Sequence, residues 1–159
     1  MARTQIFDGI FATLQADPVL PTLLGPSVAQ NPRIMRGYPQ LQSLLATGYE
    51  PVTSDAWLVF LEPNPYLRVV TDNLETAFEV LEIQFGIYAV QYRVADDVMD
   101  VLDQYWQWSI AQQRDIQYGE RILLQSRRFR VEETYAQEVK LPQKSLFYRM
   151  AFTLETQHA

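Results

Sequence analysis

Between Glu79 and Ile110 strict apolar alternation passes into a helical period with no turn signal between them. Leu81, Ile83, Phe85, Ile87 and Ala89 point one way and Glu82, Gln84 and Gly86 the other, which is the period of a half-buried strand. From Asp96 onward Val98, Val101, Leu102 and Tyr105 share one helical face, while Asp96, Asp100, Asp103 and Gln107 occupy the opposite one. The pattern predicts a long strand that feeds straight into an amphipathic helix, a scaffold with a possible assembly surface rather than a reaction centre.

The same reading predicts a helix over Gln5 to Ala16, with Ile6, Phe7, Ile10, Phe11 and Leu14 on one stripe. Asp17-Pro18 ends it, because the residue before a proline avoids the helical region. Val19 to Leu24 forms a further short turn closed by Gly25-Pro26. An irregular excursion at about 26–56 follows, punctuated by Pro26, Pro32, Pro39 and Pro51 with Gly37 and Gly48. One short helix is expected inside it, from Pro39 to Thr47, carrying Leu41, Leu44 and Leu45 at helical spacing. The segment from Arg36 to Ala56 is expected to project from the core and meet a neighbouring ring or subunit, since long structureless excursions in a compact domain are usually functional or mobile. Trp57 to Glu62, Tyr66 to Thr71, Glu120 to Glu133 and Ser145 to Glu155 read as strands. The order of elements predicts an α+β fold, a single domain with a mostly antiparallel sheet and helices packed on one face.

Composition narrows the function classes. The chain has 159 residues, 48% hydrophobic and 20% charged, which suits one globular domain with a real core. Its longest uninterrupted apolar stretch, Trp57 to Leu61, is far short of the roughly 20 residues of a membrane helix, so no membrane partner is expected. Asp8 falls where a signal peptide would be apolar, which argues against secretion by that route. A formal net charge of −6 argues against wrapping nucleic acid, whose affinity comes from cations that neutralise phosphates. It agrees with a channel wall that keeps DNA from sticking. Arginine outnumbers lysine eleven to two. Either protein interfaces account for this, since arginine is enriched and lysine depleted there, or genomic base composition does.

Candidate chemistry is sparse. Cysteine is absent and the single histidine, His158, stands beside the carboxyl end, which removes the usual nucleophile–base pairs and zinc ligands. The glycines are never spaced as a phosphate-binding loop requires. Asp96, Asp97, Asp100 and Asp103 are oxygen ligands of the kind a hard cation takes, but they read better as a solvated helix face whose acids lie near a positive helix end. Asp96, Asp100 and Asp103 are therefore candidates for an acidic surface or channel face. Neither an enzyme nor a cofactor is expected. Arg121, Arg127, Arg128 and Arg130 share one predicted strand, and Arg127 and Arg128 project to opposite faces unless a bulge intervenes. These four arginines are candidates for a subunit or ring interface; an exposed edge defended by charge is the alternative. Trp106 and Trp108 flank the helix stripe on either side of Tyr105, and a subunit contact is expected for one of them.

The opening helix that ends in Leu14-Gln15-Ala16-Asp17-Pro18-Val19-Leu20 resembles the start of small phage tail terminator and tail completion (head–tail joining) proteins. Similar too are the strand Trp57-Leu58-Val59-Phe60-Leu61-Glu62, the strand Glu82 to Arg93 running into the helix from Asp96, and the closing strand Tyr148-Arg149-Met150-Ala151-Phe152-Thr153-Leu154. The likeness covers nearly the whole chain as an order of elements, without an invariant motif. It implies a virion protein of the tail or neck, assembled in the host cytoplasm. The chain would form a hexameric ring that caps the tail tube, binds the tube protein on one side and a head connector or stopper protein on the other, and lets DNA pass without specific binding. Ending an open stack requires two unlike faces. A head-completion or stopper protein of the same neck, and a small enzyme or ligand-binding α+β module, are the rival readings.

Overall fold

The computed structural model describes residues 2–25, 31–37, 49–61, 68–73, 76–107 and 116–153. Three helices, α1 (Ala2–Ala16), α2 (Leu20–Leu24) and α3 (Tyr92–Trp106), accompany seven strands among these residues. The strands are β1 (Ile34–Met35), β2 (Ala56–Leu61), β3 (Arg68–Asn73), β4 (Thr76–Ala89), β5 (Ile116–Tyr118), β6 (Arg121–Ala136) and β7 (Leu141–Thr153). They form one sheet in the order β1-β2-β4-β7-β6-β5, with β3 also paired to β4. Every pairing is antiparallel except the short β1–β2 contact. The central strand β4 is long enough to carry two partners on one edge, β3 along Thr76–Leu81 and β2 along Gln84–Ala89, while β7 holds the other edge along Phe78–Tyr88. The fold is α+β, as the order of elements predicts.

All three helices lie over one face. Ile6, Ile10 and Leu14 of α1, Leu20 and Leu24 of α2, and Val98, Leu102 and Trp106 of α3 join Leu81, Ile83, Phe85 and Ile87 of β4 in a single core. Its centre is aromatic: Phe85 stacks on Trp106 at 5.3 Å, meets Tyr148 edge-on at 5.6 Å and lies 5.5 Å from Phe60. A smaller core sits on the opposite face at the β1–β2 end, where Met35, Trp57, Val59, Tyr88 and Leu141 pack with Tyr49 and Val90. Two-sided cover explains why β2 is an unbroken apolar run instead of an alternating one.

Several boundaries differ from the sequence reading. The strand stops at Ala89, and after Val90 and Gln91 the helix begins at Tyr92, one turn earlier than Asp96. No acid then lies in the first turn of α3, so the helix dipole does not account for Asp96 and Asp97. Much of the expected excursion is also held to the sheet. Arg33 is ion-paired with Asp55 at 2.9 Å, both side chains being within the protein, and its guanidinium lies 5.0 Å from the Trp57 ring. The Trp57 indole donates to Asn31 Oδ1 at 2.9 Å, and the Tyr49 hydroxyl and Val52 N–H both donate to Asp55 Oδ2. Within the segment expected to project, residues 49–56 are therefore wall, because Asp55 is buried and its partners hold it to Arg33 and the sheet end. The helix expected over Pro39–Thr47 lies outside the described residues.

The Asp17-Pro18 break is more than a stop. Asp17 Oδ1 accepts from Val19 N and Leu20 N at 2.8 and 2.9 Å, opening α2, and Asp17 Oδ2 accepts from the Tyr105 hydroxyl of α3. In α1, Gly9 is required by a close approach: a Cβ there would stand 2.1 Å from the Tyr118 ring. Alanine normally stabilises a helix relative to glycine. Here Gly9→Ala is expected to destabilise the protein by about 1–3 kcal/mol through overpacking, measured by thermal or urea unfolding. A more stable variant would show that α1 can slide away from β5.

Candidate assembly surface

On the face away from the helices, the middle of the sheet is uncovered among the described residues. Phe78, Val80, Gln125, Arg127, Phe129, Arg149 and Ala151 line a groove of about 300 Å³ there. Strand register explains its chemistry. Glu82 of β4 stands opposite Arg149 of β7, which stands opposite Arg127 of β6, so one row across three strands holds two arginines and one carboxylate. Arg149 Nη2 donates to Glu82 Oε1 at 3.1 Å, and its guanidinium lies 4.6 Å from the Phe129 ring. Like charges directly opposite each other weaken a sheet, so the row is electrostatically incomplete. Beside it Arg130 lies 4.0 Å from the Phe147 ring and pairs with Glu132 at 3.3 Å.

A bulge decides where Arg130 points. Arg127 pairs with Arg149 and Arg128 with Tyr148, but the next partner, Phe147, faces Arg130. The extra residue, Phe129, puts Phe129 and Arg130 together on the open face, whereas Arg128 faces the helix side by its ordinary alternation with Arg127. Arg127 is exposed and has no ion pair among the described residues. Arg128 is different: it pairs with Asp103 at 2.6 Å, and the other oxygen of Asp103 accepts from the Tyr148 hydroxyl at 2.6 Å. Burial and the adjacent Asp103 carboxylate push the Tyr148 phenol well above its ordinary range, so it remains a donor.

The sequence grouping of sites is thus split by the fold. Arg127 and Arg130 belong to the open face. Arg121 is only 2% exposed and pairs with the buried Glu79 at 3.3 Å, so it is an interior tie and not a surface contact. Trp106 is wholly buried in the helix-side core and donates to the Tyr118 hydroxyl at 3.2 Å, which removes it as a subunit contact of the folded chain. Phe85 and Tyr148, from strands distant in sequence, draw the indole inward. Trp108 and His158 lie outside the described residues.

The acidic helix face divides likewise. Asp103 bridges α3 to β6 and β7, and Asp96 pairs with Lys144, which also reaches Glu133 at 3.0 Å. Burial works to lower the Lys144 pKa, but these two carboxylates outweigh it and the net shift is upward. Asp97 and Asp100 are exposed and hold no ion pair among the described residues. Asp96 is exposed as well despite its partner, so of the four helix acids Asp103 departs most from a solvated face. No group of three or more metal-ligating side chains gathers among the described residues.

Arg149, Glu82, Phe129 and Phe147 were missed as site residues. Their signal is cross-strand register, which alternation within one strand does not contain.

No protein-family model matches the chain, and no curated protein matches it. A solved structure does: a chain of the "Virion of native gene transfer agent (GTA) particle" superposes with a TM-score of 0.58 at 14% identity, covering 91% of each chain. At that identity the likeness establishes a shared fold over nearly the full length of both chains.

Proposed function

We propose that the chain is a virion structural protein of the tail terminator type, a ring that caps the tail tube and joins it to the head connector. The observation that carries this reading is the whole-length fold likeness to a chain of a gene transfer agent virion. The order of elements that resembles tail terminators agrees with it. The surface adds support for assembly. Beyond Leu123 the outer edge of β6 meets no described strand, and Val131 and Tyr135 stand exposed along it. Tyr92, also exposed, donates to Thr134 O on the same stretch. An open edge with large apolar side chains invites a partner, while its interspersed arginines and glutamates limit unspecific pairing. The role is structural and not catalytic.

Electron microscopy of the purified protein mixed with tail tubes tests the reading. Rings seated on tube ends, with tubes that stop growing when the protein is added, are the expected result. Rings that bind the head connector and ignore tubes would favour the head-completion role, and a monomer indifferent to both would sink the neck assignment.

A further inference from the structure

We propose that within the ring the open sheet face of each copy receives the outward stripe of α3 from the next copy, with Arg127 pairing with Asp97 and Asp100. This rests on the ring reading above and names the contact that builds it.

The first support is the incomplete charge row. Arg127 and Arg149 are direct cross-strand partners, and Glu82 is the one carboxylate in that row. Glu82 already accepts from Arg149, so Arg127 is the cation left over. A second carboxylate brought from outside would complete the row. The second support lies on the other side of the molecule. Asp97 and Asp100 face outward from α3, exposed and without an ion pair among the described residues, whereas Asp96 and Asp103 are occupied by Lys144 and Arg128. The unpaired charges on the two sides are opposite in sign.

The groove suits this use. Phe78 and Phe129 form apolar walls beside Arg127, so an acid entering there is partly shielded from water, where a charge pair is stronger than on an open surface. Arginine tolerates that setting better than lysine because its guanidinium is planar and weakly hydrated. Helix layer and open sheet face are opposite sides of one protomer. A contact between them is head-to-tail, the kind that closes into a ring when the rotation allows.

Charge reversal on the full chain tests it, read by analytical ultracentrifugation and electron microscopy with and without tail tubes. Arg127→Glu should weaken ring formation about tenfold or more, and Asp97→Arg with Asp100→Arg should do the same. Combining all three should restore rings to within a few fold of the native chain, with an unchanged far-UV circular dichroism spectrum throughout. The neutral changes Arg127→Gln and Asp100→Asn should weaken assembly less, and they keep the test open if a reversal prevents folding. Native rings from either reversed set, or folded combined variants that do not reassemble, would overturn this contact while leaving the ring reading intact. Arg127→Glu rings that form normally but no longer seat on tubes would assign the groove to the tube protein instead. A native chain that never forms rings would remove the terminator reading and this contact together.

Discussion

Replacing Trp106 by alanine is expected to cost about 3–5 kcal/mol of folding stability, a large share of the roughly 5–15 kcal/mol that a domain usually has. The indole is completely buried, stacked at 5.3 Å on Phe85, 6.4 Å from Tyr148, and hydrogen-bonded to the Tyr118 hydroxyl. Its loss leaves a cavity at the junction of α3, β4 and β7, and removes the indole donor from the buried Tyr118 hydroxyl. Trp106→Phe should cost less, since it keeps aromatic contact and loses only the indole donor and part of the volume. Urea unfolding of both variants measures the difference. If Trp106 were instead a subunit contact, alanine would lower assembly and leave the monomer's unfolding midpoint where it was.

Asp55→Ala should have a comparable effect, about 3–5 kcal/mol, because breaking a buried ion pair leaves a desolvated partner behind. Arg33 and Asp55 are each less than a tenth exposed, and Asp55 also receives the Tyr49 hydroxyl and Val52 N–H. Burial alone would raise the Asp55 pKa, but those two donors and the Arg33 guanidinium outweigh it and hold it below its ordinary 3.8. A carboxylate whose pKa is depressed by folding contributes stability above its unfolded pKa and loses it as pH falls through the folded value. The gap between native protein and Asp55→Ala should therefore be full at neutral pH and shrink in acid below 3.8. Denaturation measured across that range checks it; a gap independent of pH would show that packing of the 49–56 segment, and not the charge, carries the cost.

Local pattern was a good guide wherever one face of an element decides burial. In β4, Leu81, Ile83, Phe85 and Ile87 are buried as their alternation requires, and in α1 the stripe of Ile6, Ile10 and Leu14 is fully covered. It was a poor guide where distant residues arbitrate. Trp106 sits on the flank of a helical wheel, and only the arrival of Phe85, Tyr148 and Tyr118 makes that flank interior. Arg121 looks like one of four surface arginines until Glu79, across the intervening β7, meets it inside. The irregular composition of 36–56 suggests projection, yet 49–56 lies against the fold, because prolines and glycines say where regular hydrogen bonding stops and not where the chain then goes.

What the sequence by itself determined is the inventory: an α+β chain, its helices and long strands, the apolar face of each, and a surplus of arginine without catalytic pairs. These follow from periodicity and side-chain chemistry, which act over a few residues. The tertiary structure alone decided the partners. Register set Arg127 against Arg149 and Glu82, alternation with Arg127 carried Arg128 to Asp103, a bulge at Phe129 turned Arg130 to Phe147, and Lys144 claimed Asp96. Those pairings join residues from separate strands and helices. They depend on which elements lie side by side, a property of the whole chain's packing that no local stretch encodes.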